Sequence, residues 1–247
     1  MFTPEERELL RTELLDRASA ELRILVSATT GSGATDHLDK WSDIDMAFAF
    51  ADGVDLHPIL SDWTAWMYDR QEALHHFDVM SGTWAYRVFL LRNTLQVDLA
   101  FVPASDFRAL APSFRLVFGE DKDPPEPLWP PVEDMIVHCW LYALHARCCI
   151  ARGQYLRAEY MISAMRNETL SFACVRYGLP SVHGRGIDRL PSEFIERIEL
   201  SLVKRLDEQE LLRAFRALME PFINEVKNAD PAICLRLVES IRQLAHQ

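Results

Sequence analysis

Two aspartates stand one residue apart in the segment "SDIDMAFAF", residues 42–50. Alternate side chains of a strand share a face, so Asp43 and Asp45 point to one side while Ile44 points to the core. Burying an unpaired carboxylate is costly, and a bound cation is one way to offset that cost. Hard oxygen ligands favour Mg²⁺ or Mn²⁺, and a bridging carboxylate can span two such ions. The spacing therefore predicts a divalent cation site, with two Mg²⁺ ions favoured.

A third aspartate lies in a second segment of the same alternating pattern, "TLQVDLAFV", residues 94–102. If this strand lies beside the first, Asp98 completes a triad with Asp43 and Asp45. Three clustered carboxylates repel each other, and a divalent cation relieves the repulsion. The alternative interpretation is that Asp43 caps a turn and that Asp45 is solvated at a sheet edge.

The elements that must position these residues are predicted from local patterns. Thr3 and Pro4 are typical of a helix start, since threonine caps N-termini and proline suits the first turn. Apolar alternation and turn residues predict the remaining elements of the front half. These are strands at 23–28 and 43–50, a helix at 56–75, and a hairpin of 83–91 with 94–102.

A proline-rich segment, "GEDKDPPEPLWPP" at 119–131, separates this front half from the rest. Dense proline excludes regular helix, so we predict the domain boundary there. The expected domains are a catalytic domain at 1–120 and a helical substrate- and nucleotide-binding domain at 132–247. The helices are expected at 132–151, 154–177, 191–206, 207–227 and 230–246. The predicted class is α+β: a mixed sheet with flanking helices, followed by an all-helical domain.

Composition excludes several classes of protein. The 247 residues include 37 acidic and 26 basic ones, a net charge of −11, which argues against a nucleic-acid partner. No segment has the apolar length of a membrane span, and no apolar leader is expected at the N-terminus. The five cysteines contain no C-x-x-C pair, which favours a reduced, cytoplasmic setting.

Taken together, these motifs resemble a known family. Gly31-Ser32, a ten-residue gap, Asp43-Ile44-Asp45 and then Asp98 resemble the pattern of the polymerase-β-like nucleotidyltransferases. The segment Trp41-Ser42-Asp43-Ile44-Asp45 is similar to a form found in the aminoglycoside and lincosamide adenylyltransferases. The resemblance implies transfer of a nucleoside monophosphate from an NTP, ATP first, and a role in antibiotic resistance.

The resemblance also implies roles for individual residues. Gly31 would let the backbone approach the phosphates, and Ser32 would offer its hydroxyl and amide to the β- and γ-phosphates. Ser42 would stand beside the nucleotide, directly before the metal ligands Asp43 and Asp45. Asp98 would be a third metal ligand or the general base that takes the proton of the substrate hydroxyl.

The second half resembles the helical domain of the same branch, with looser motifs. Tyr155, Glu159, Ile162, Arg166 and Thr169 form one stripe at helical spacing. If the stripe faces a cleft between the domains, Arg166 would pair with the triphosphate. Glu159 would then contact the substrate or serve as an alternative base. The other interpretation is a solvated helix face.

The function expected from the sequence is Mg²⁺-dependent transfer of a nucleoside monophosphate to a hydroxyl of a small molecule. An aminoglycoside or lincosamide is the first acceptor to consider. Two alternatives stay open: a transferase that modifies a protein or tRNA, and a non-catalytic nucleotide-binding module. The apolar faces of the C-terminal helices would form either a homodimer interface or only a core.

Overall fold

The computed structural model describes residues 1–35, 38–111, 113–122 and 129–246. The chain divides into two compact units, Met1–Pro127 and Leu128–Gln247. Part of the proline-rich segment, residues 123–128, lies outside the described residues. The assignment of a catalytic and a substrate-binding domain to the two halves stays a prediction.

The first unit combines two helices with six strands. Its helices are α1 (Pro4–Ala20) and α2 (Leu56–Arg70). A turn of 3₁₀ helix, Gly31–Ala34, follows the first strand. The strands are β1 (Ile24–Thr30), β2 (Ile44–Phe50), β3 (Ala73–Ser81), β4 (Trp84–Leu91), β5 (Gln96–Pro103) and β6 (Phe114–Phe118).

The six strands form one mixed sheet in the order β3-β4-β5-β2-β1-β6. The predicted hairpin of 83–91 with 94–102 is confirmed as β4 and β5, which pair antiparallel. β5 lies beside β2 in parallel, as the sequence analysis required for Asp98 to approach Asp45. The other neighbouring strands are antiparallel.

Both edges of the sheet were missed by the sequence analysis. The helix predicted at 56–75 ends at Arg70, Glu72 adopts a positive φ of 52°, and edge strand β3 begins at Ala73. No glycine or proline marks this end of the helix. Strand β3 is mostly exposed, and β6 has no buried residue, so neither shows the apolar alternation that identifies a half-buried strand.

The main core of this unit lies between the sheet and helices α1 and α2. Trp63 of α2 is fully buried, with its ring 4.9 Å from that of Phe48 and 5.6 Å from that of Phe101. The opposite face of the sheet has smaller central side chains, among them Ala47 and Ala100. Asp45 and Asp98 point to this second face, because side chains alternate along each strand.

The second unit is helical. Its helices are α3 (Val132–Ala151), α4 (Tyr155–Arg176), α5 (Ser192–Glu199), α6 (Glu208–Ala229) and α7 (Pro231–His246), with short 3₁₀ turns at Val182–Gly184 and Ile187–Arg189. The α+β class is therefore confirmed. Among the described helices, none combines the length and apolarity needed to cross a membrane.

One helix of this unit is shorter than predicted. Helix α5 was expected to run to residue 206 and ends at Glu199. Arg213 of α6 donates hydrogen bonds to the carbonyl oxygens of Leu200 and Leu202, the second at 2.8 Å. Backbone groups after the helix end are satisfied by this tertiary contact, so the chain does not need another helical turn.

Candidate active site

Asp45 and Asp98 lie directly opposite each other on neighbouring parallel strands. Adjacent strands are about 4.8 Å apart, and paired residues point to the same face. Both residues are half-buried. Two carboxylates in this arrangement repel each other when both are ionised, and a divalent cation relieves that repulsion.

The turn at Gly31 packs directly against Asp45. Gly31 has a φ of +59°, and a Cβ atom built on it would lie 2.1 Å from Oδ2 of Asp45. No side chain fits at that distance, and the left-handed backbone is itself unfavourable for any residue with a Cβ. The structure therefore brings Gly31 and Asp45 together and requires glycine at this position.

Ser32 follows in the same 3₁₀ turn. Its Oγ is buried, with no hydrogen-bond partner within the part of the chain that the structure describes. The turn is held from two sides: Thr35 Oγ1 donates to the Ser32 carbonyl oxygen at 3.2 Å, and Arg115 of β6 donates to the Gly33 carbonyl oxygen at 2.9 Å. A buried hydroxyl with unused capacity fits a ligand oxygen, since buried polar groups are normally bonded.

The hydroxyl of Ser42 forms hydrogen bonds within the turn before β2. Ser42 Oγ accepts a hydrogen bond from the amide of Asp39 and donates to its Oδ1, both at 3.0 Å. The hydroxyl was expected to stand beside the nucleotide, and in the structure it closes the local turn.

Arg7 of α1 is a residue that the sequence analysis missed. Its residue exposure is 4%, and its Nη1 donates to the carbonyl oxygens of Asp39 at 2.5 Å and Ser42 at 3.1 Å. The guanidinium thus joins α1 to the loop that leads into Asp43. The available signal was its spacing, because Arg7 is in helical register with the buried Leu10 and Leu14.

Asp43 precedes β2 by one residue and is half-buried. Across the described ranges, no three His, Cys, Asp or Glu side chains are grouped closely enough to hold a metal ion. The structure brings Asp45 and Asp98 together, and the triad with Asp43 stays a prediction. Metal binding by these residues stays a prediction.

Tyr86 of β4 lies beside Asp98. Val88 is directly opposite Asp98, and Tyr86 is two residues away on the same face. Burial, together with the charge of Asp98, raises the pKa of the Tyr86 hydroxyl. Its ring stacks on Trp84 at 6.0 Å, and Trp84 stacks on Phe107 at 6.0 Å. The hydroxyl therefore stays protonated next to the carboxylates.

In the second unit, Glu159 and Arg166 belong to one network on α4. Ser163 donates to Glu159 Oε1 at 2.6 Å, and Arg166 Nη1 donates to the Ser163 hydroxyl at 3.3 Å. Arg166 also donates to the hydroxyl of Ser201 at 3.0 Å and to its carbonyl oxygen at 3.2 Å. Burial lowers the pKa of Arg166, and the Glu159 charge opposes this shift. The predicted stripe is only partly solvated, because Ile162 and Thr169 are buried.

Two of the solved structures that are similar to this chain show the level of the likeness. One is an aminoglycoside 6-adenyltransferase from Bacillus subtilis, with 13% identity, 99% coverage of both chains and a TM-score of 0.42. The other is the polymerase core of TRAMP, an RNA surveillance complex, with 15% identity, 91% coverage of this chain, 59% of that chain and a TM-score of 0.30. No family model and no curated protein matches the chain. Likeness at this level does not assign an activity.

Proposed function

We propose that this chain transfers a nucleoside monophosphate from an NTP to a hydroxyl of a small molecule. The observation that supports this most is the Asp45–Asp98 pair with the Gly31 turn packed against it. ATP is the first donor to consider, and an aminoglycoside or lincosamide antibiotic is the first acceptor. In the reaction, the acceptor oxygen bonds to the α-phosphorus, the bond to the β-phosphate breaks, and pyrophosphate leaves.

The Gly31–Ala34 turn is suited to hold the leaving phosphates. Gly31 leaves the backbone open to a close approach, and the buried hydroxyl of Ser32 has unused hydrogen-bonding capacity among the described residues. Arg115 and Thr35 fix the carbonyl groups of this turn, so its donors are oriented before a ligand arrives. In the second unit, Arg166 is proposed to contact the triphosphate from α4.

Asp98 is proposed to accept the proton of the acceptor hydroxyl. It lies beside Asp45 and on the same face as Tyr86, the sheet face opposite helices α1 and α2. A general base must lie within hydrogen-bond reach of the proton that it removes. Glu159 remains the alternative base.

The carboxylates also fit a hard divalent cation. Asp45 and Asp98 offer adjacent oxygen donors from two strands, with Asp43 one residue before the first strand, and oxygen donors of this kind suit Mg²⁺ or Mn²⁺. When bound, such an ion neutralises the charge on the α-phosphate and on the departing pyrophosphate.

The test measures pyrophosphate release by the full chain with Mg²⁺, each of the four NTPs and a panel of aminoglycosides and lincosamides. Asp45→Asn is expected to reduce acceptor-dependent release by about a hundredfold or more, because charge stabilisation at the metal is worth several kcal/mol. The control is Asp62→Asn on α2, which removes a half-exposed carboxylate that pairs with Arg23.

Near-normal release by Asp45→Asn would contradict the proposal. Labelled nucleotide in a protein or RNA fraction would favour a macromolecular acceptor. Mg²⁺-dependent NTP binding without transfer to any acceptor would favour a binding module. Circular dichroism of each variant checks that the fold is intact.

A further inference from the structure

The sheet face opposite helices α1 and α2 carries an apolar strip from Asp98 to the β3 edge. Register places Phe77 beside Val88, and Val79 beside Tyr86, on the same face as Asp98. Leu90 follows on β4. Phe77, Val79 and Leu90 are 54%, 47% and 47% exposed. These side chains form a solvent-facing apolar surface that ends at the carboxylates.

The opposite face of the same strands confirms this orientation. His76 bonds Tyr68 of α2 at 3.0 Å, and Arg87 donates to Thr64 and to the Leu60 carbonyl oxygen of α2. Those side chains therefore point to the helices. Residues that alternate with them, such as Phe77 and Val88, point away from the helices.

Charge is nearly absent from this strip. Asp98 is the only acidic residue that strands β3, β4 and β5 place on this face. Asp78, the other aspartate of these strands, faces the helices and forms an ion pair with Arg87 at 2.6 Å. Arg87 is also the only lysine or arginine of the three strands. His75, opposite Leu90, is the titratable side chain of β3 on this face, so these three strands place no lysine, arginine or second carboxylate along the strip beside Asp98.

We propose, on the basis of the function proposed above, that the acceptor carries an uncharged apolar face next to its reacting hydroxyl, and that Phe77, Val79, Val88 and Leu90 bind this face. A polycationic acceptor seated here would lose the hydration of its ammonium groups without carboxylates to replace it. The net charge of −11 attracts cationic acceptors at long range. This attraction does not compensate for the hydration that their ammonium groups lose when they bind to an apolar surface. An apolar face gains by leaving water and places its hydroxyl at Asp98.

The test uses the full chain with Mg²⁺ and NTP and two acceptor panels: polycationic aminoglycosides, and uncharged apolar alcohols that include neutral lincosamides. The variant is Phe77→Ser. The matched control is Met80→Ser on the same strand, because Met80 is 62% exposed and lies on the opposite face. NTP affinity of each protein is measured by calorimetry.

The expected result is turnover with the apolar panel. Phe77→Ser should raise KM for the apolar acceptor by about tenfold, the loss of much of one buried aromatic contact. Met80→Ser should leave KM unchanged, and NTP affinity should be the same in all three proteins.

Two kinetic outcomes would overturn the acceptor assignment while leaving the transferase intact. One is turnover of polycationic acceptors with a KM that Phe77→Ser does not change. The other is turnover of apolar acceptors with a KM that Phe77→Ser does not change. A dimer in light scattering that Phe77→Ser dissociates would assign the strip to a second copy through edge strand β3, and would also overturn the inference. Absence of NTP binding, or NTP binding without turnover of either panel, would instead remove the proposed function itself.

Discussion

At the scale of single residues, the candidate site depends on positions where a substitution would disturb the packing or the strand register. Gly31 combines a left-handed backbone with direct contact to Asp45, so two independent constraints meet at one position. Asp45 and Asp98 depend on each other through strand register, because a shift of one residue would move either carboxylate to the opposite face.

The first prediction concerns Gly31→Ala. The positive φ alone should cost about 1–2 kcal/mol of unfolding free energy. The added Cβ must also displace Asp45, so we expect a further loss of stability and a fall in pyrophosphate release. Urea denaturation and the release assay measure the two effects.

The matched control for this variant is Gly53→Ala. Gly53 has a similar φ of +79°, but a Cβ there meets nothing within 4 Å. Gly53→Ala should lose the unfolding free energy that the positive φ costs and should keep its turnover. Equal stability and turnover for the two variants would mean that the contact with Asp45 does not matter.

At the scale of elements, the site is a junction of a helix, two turns and two strands. Helix α1 begins with a capping box of Thr3 and Glu6, which fixes its first turn. Arg7, one turn further on, then holds the loop before β2 through two carbonyl oxygens. The helix therefore positions Asp43 and Asp45 from outside the sheet.

The second prediction concerns this clamp. Arg7→Met keeps the apolar stem of the side chain and removes the donor, so the carbonyl oxygens of Asp39 and Ser42 lose a charged partner. We expect a loss of about 1.5–3 kcal/mol in unfolding free energy. We also expect a lower kcat, because the loop leading to the aspartates is no longer held.

Arg11→Met is its control on the same helix. Arg11 pairs only with the partly exposed Glu8 among the contacts of the described chain, and pairs of this kind contribute about 0–1 kcal/mol. A kcat for Arg7→Met equal to that of Arg11→Met would show that the clamp does not position the site.

At the scale of the whole molecule, the two units bury separate cores. One core lies under the sheet and the other within the helices α3 to α7. The helical unit also buries a charge: Glu225 is 1% exposed and forms a two-point pair with Arg176 at 2.7 and 2.9 Å. The hydrogen bonds that Arg176 donates to the Glu225 carboxylate raise the pKa of Arg176.

The third prediction follows from that pair. Arg176→Met leaves the Glu225 carboxylate buried without its cation and should cost about 3–5 kcal/mol in the unfolding of the helical unit. Hydrogen exchange followed by mass spectrometry should show faster exchange in α4 and α6 and unchanged exchange in β2 and β5.

The control is Arg242→Met, which removes an exposed two-point pair with Glu220 in the same unit. This loss should be about 0–1 kcal/mol. Faster exchange in β2 and β5 after Arg176→Met would mean that the two cores unfold together.

The sequence alone determined the elements whose patterns are local. Strands β2, β4 and β5 and the five C-terminal helices follow from periodicity, since a buried face repeats every two residues in a strand and about every 3.6 in a helix. The exposed strands β3 and β6 show no such periodicity. They form strands because their backbones hydrogen-bond to β4 and β1.

For the site, the sequence predicted the aspartates and the Gly31-Ser32 turn as one group. Only the tertiary structure decided that Asp98 lies opposite Asp45 and that Ser42 closes a turn. It also decided that Arg7 clamps the loop and that the strip beside Asp98 is apolar. The reason is that composition and spacing specify which side chains share a face, whereas long-range pairing specifies which faces meet.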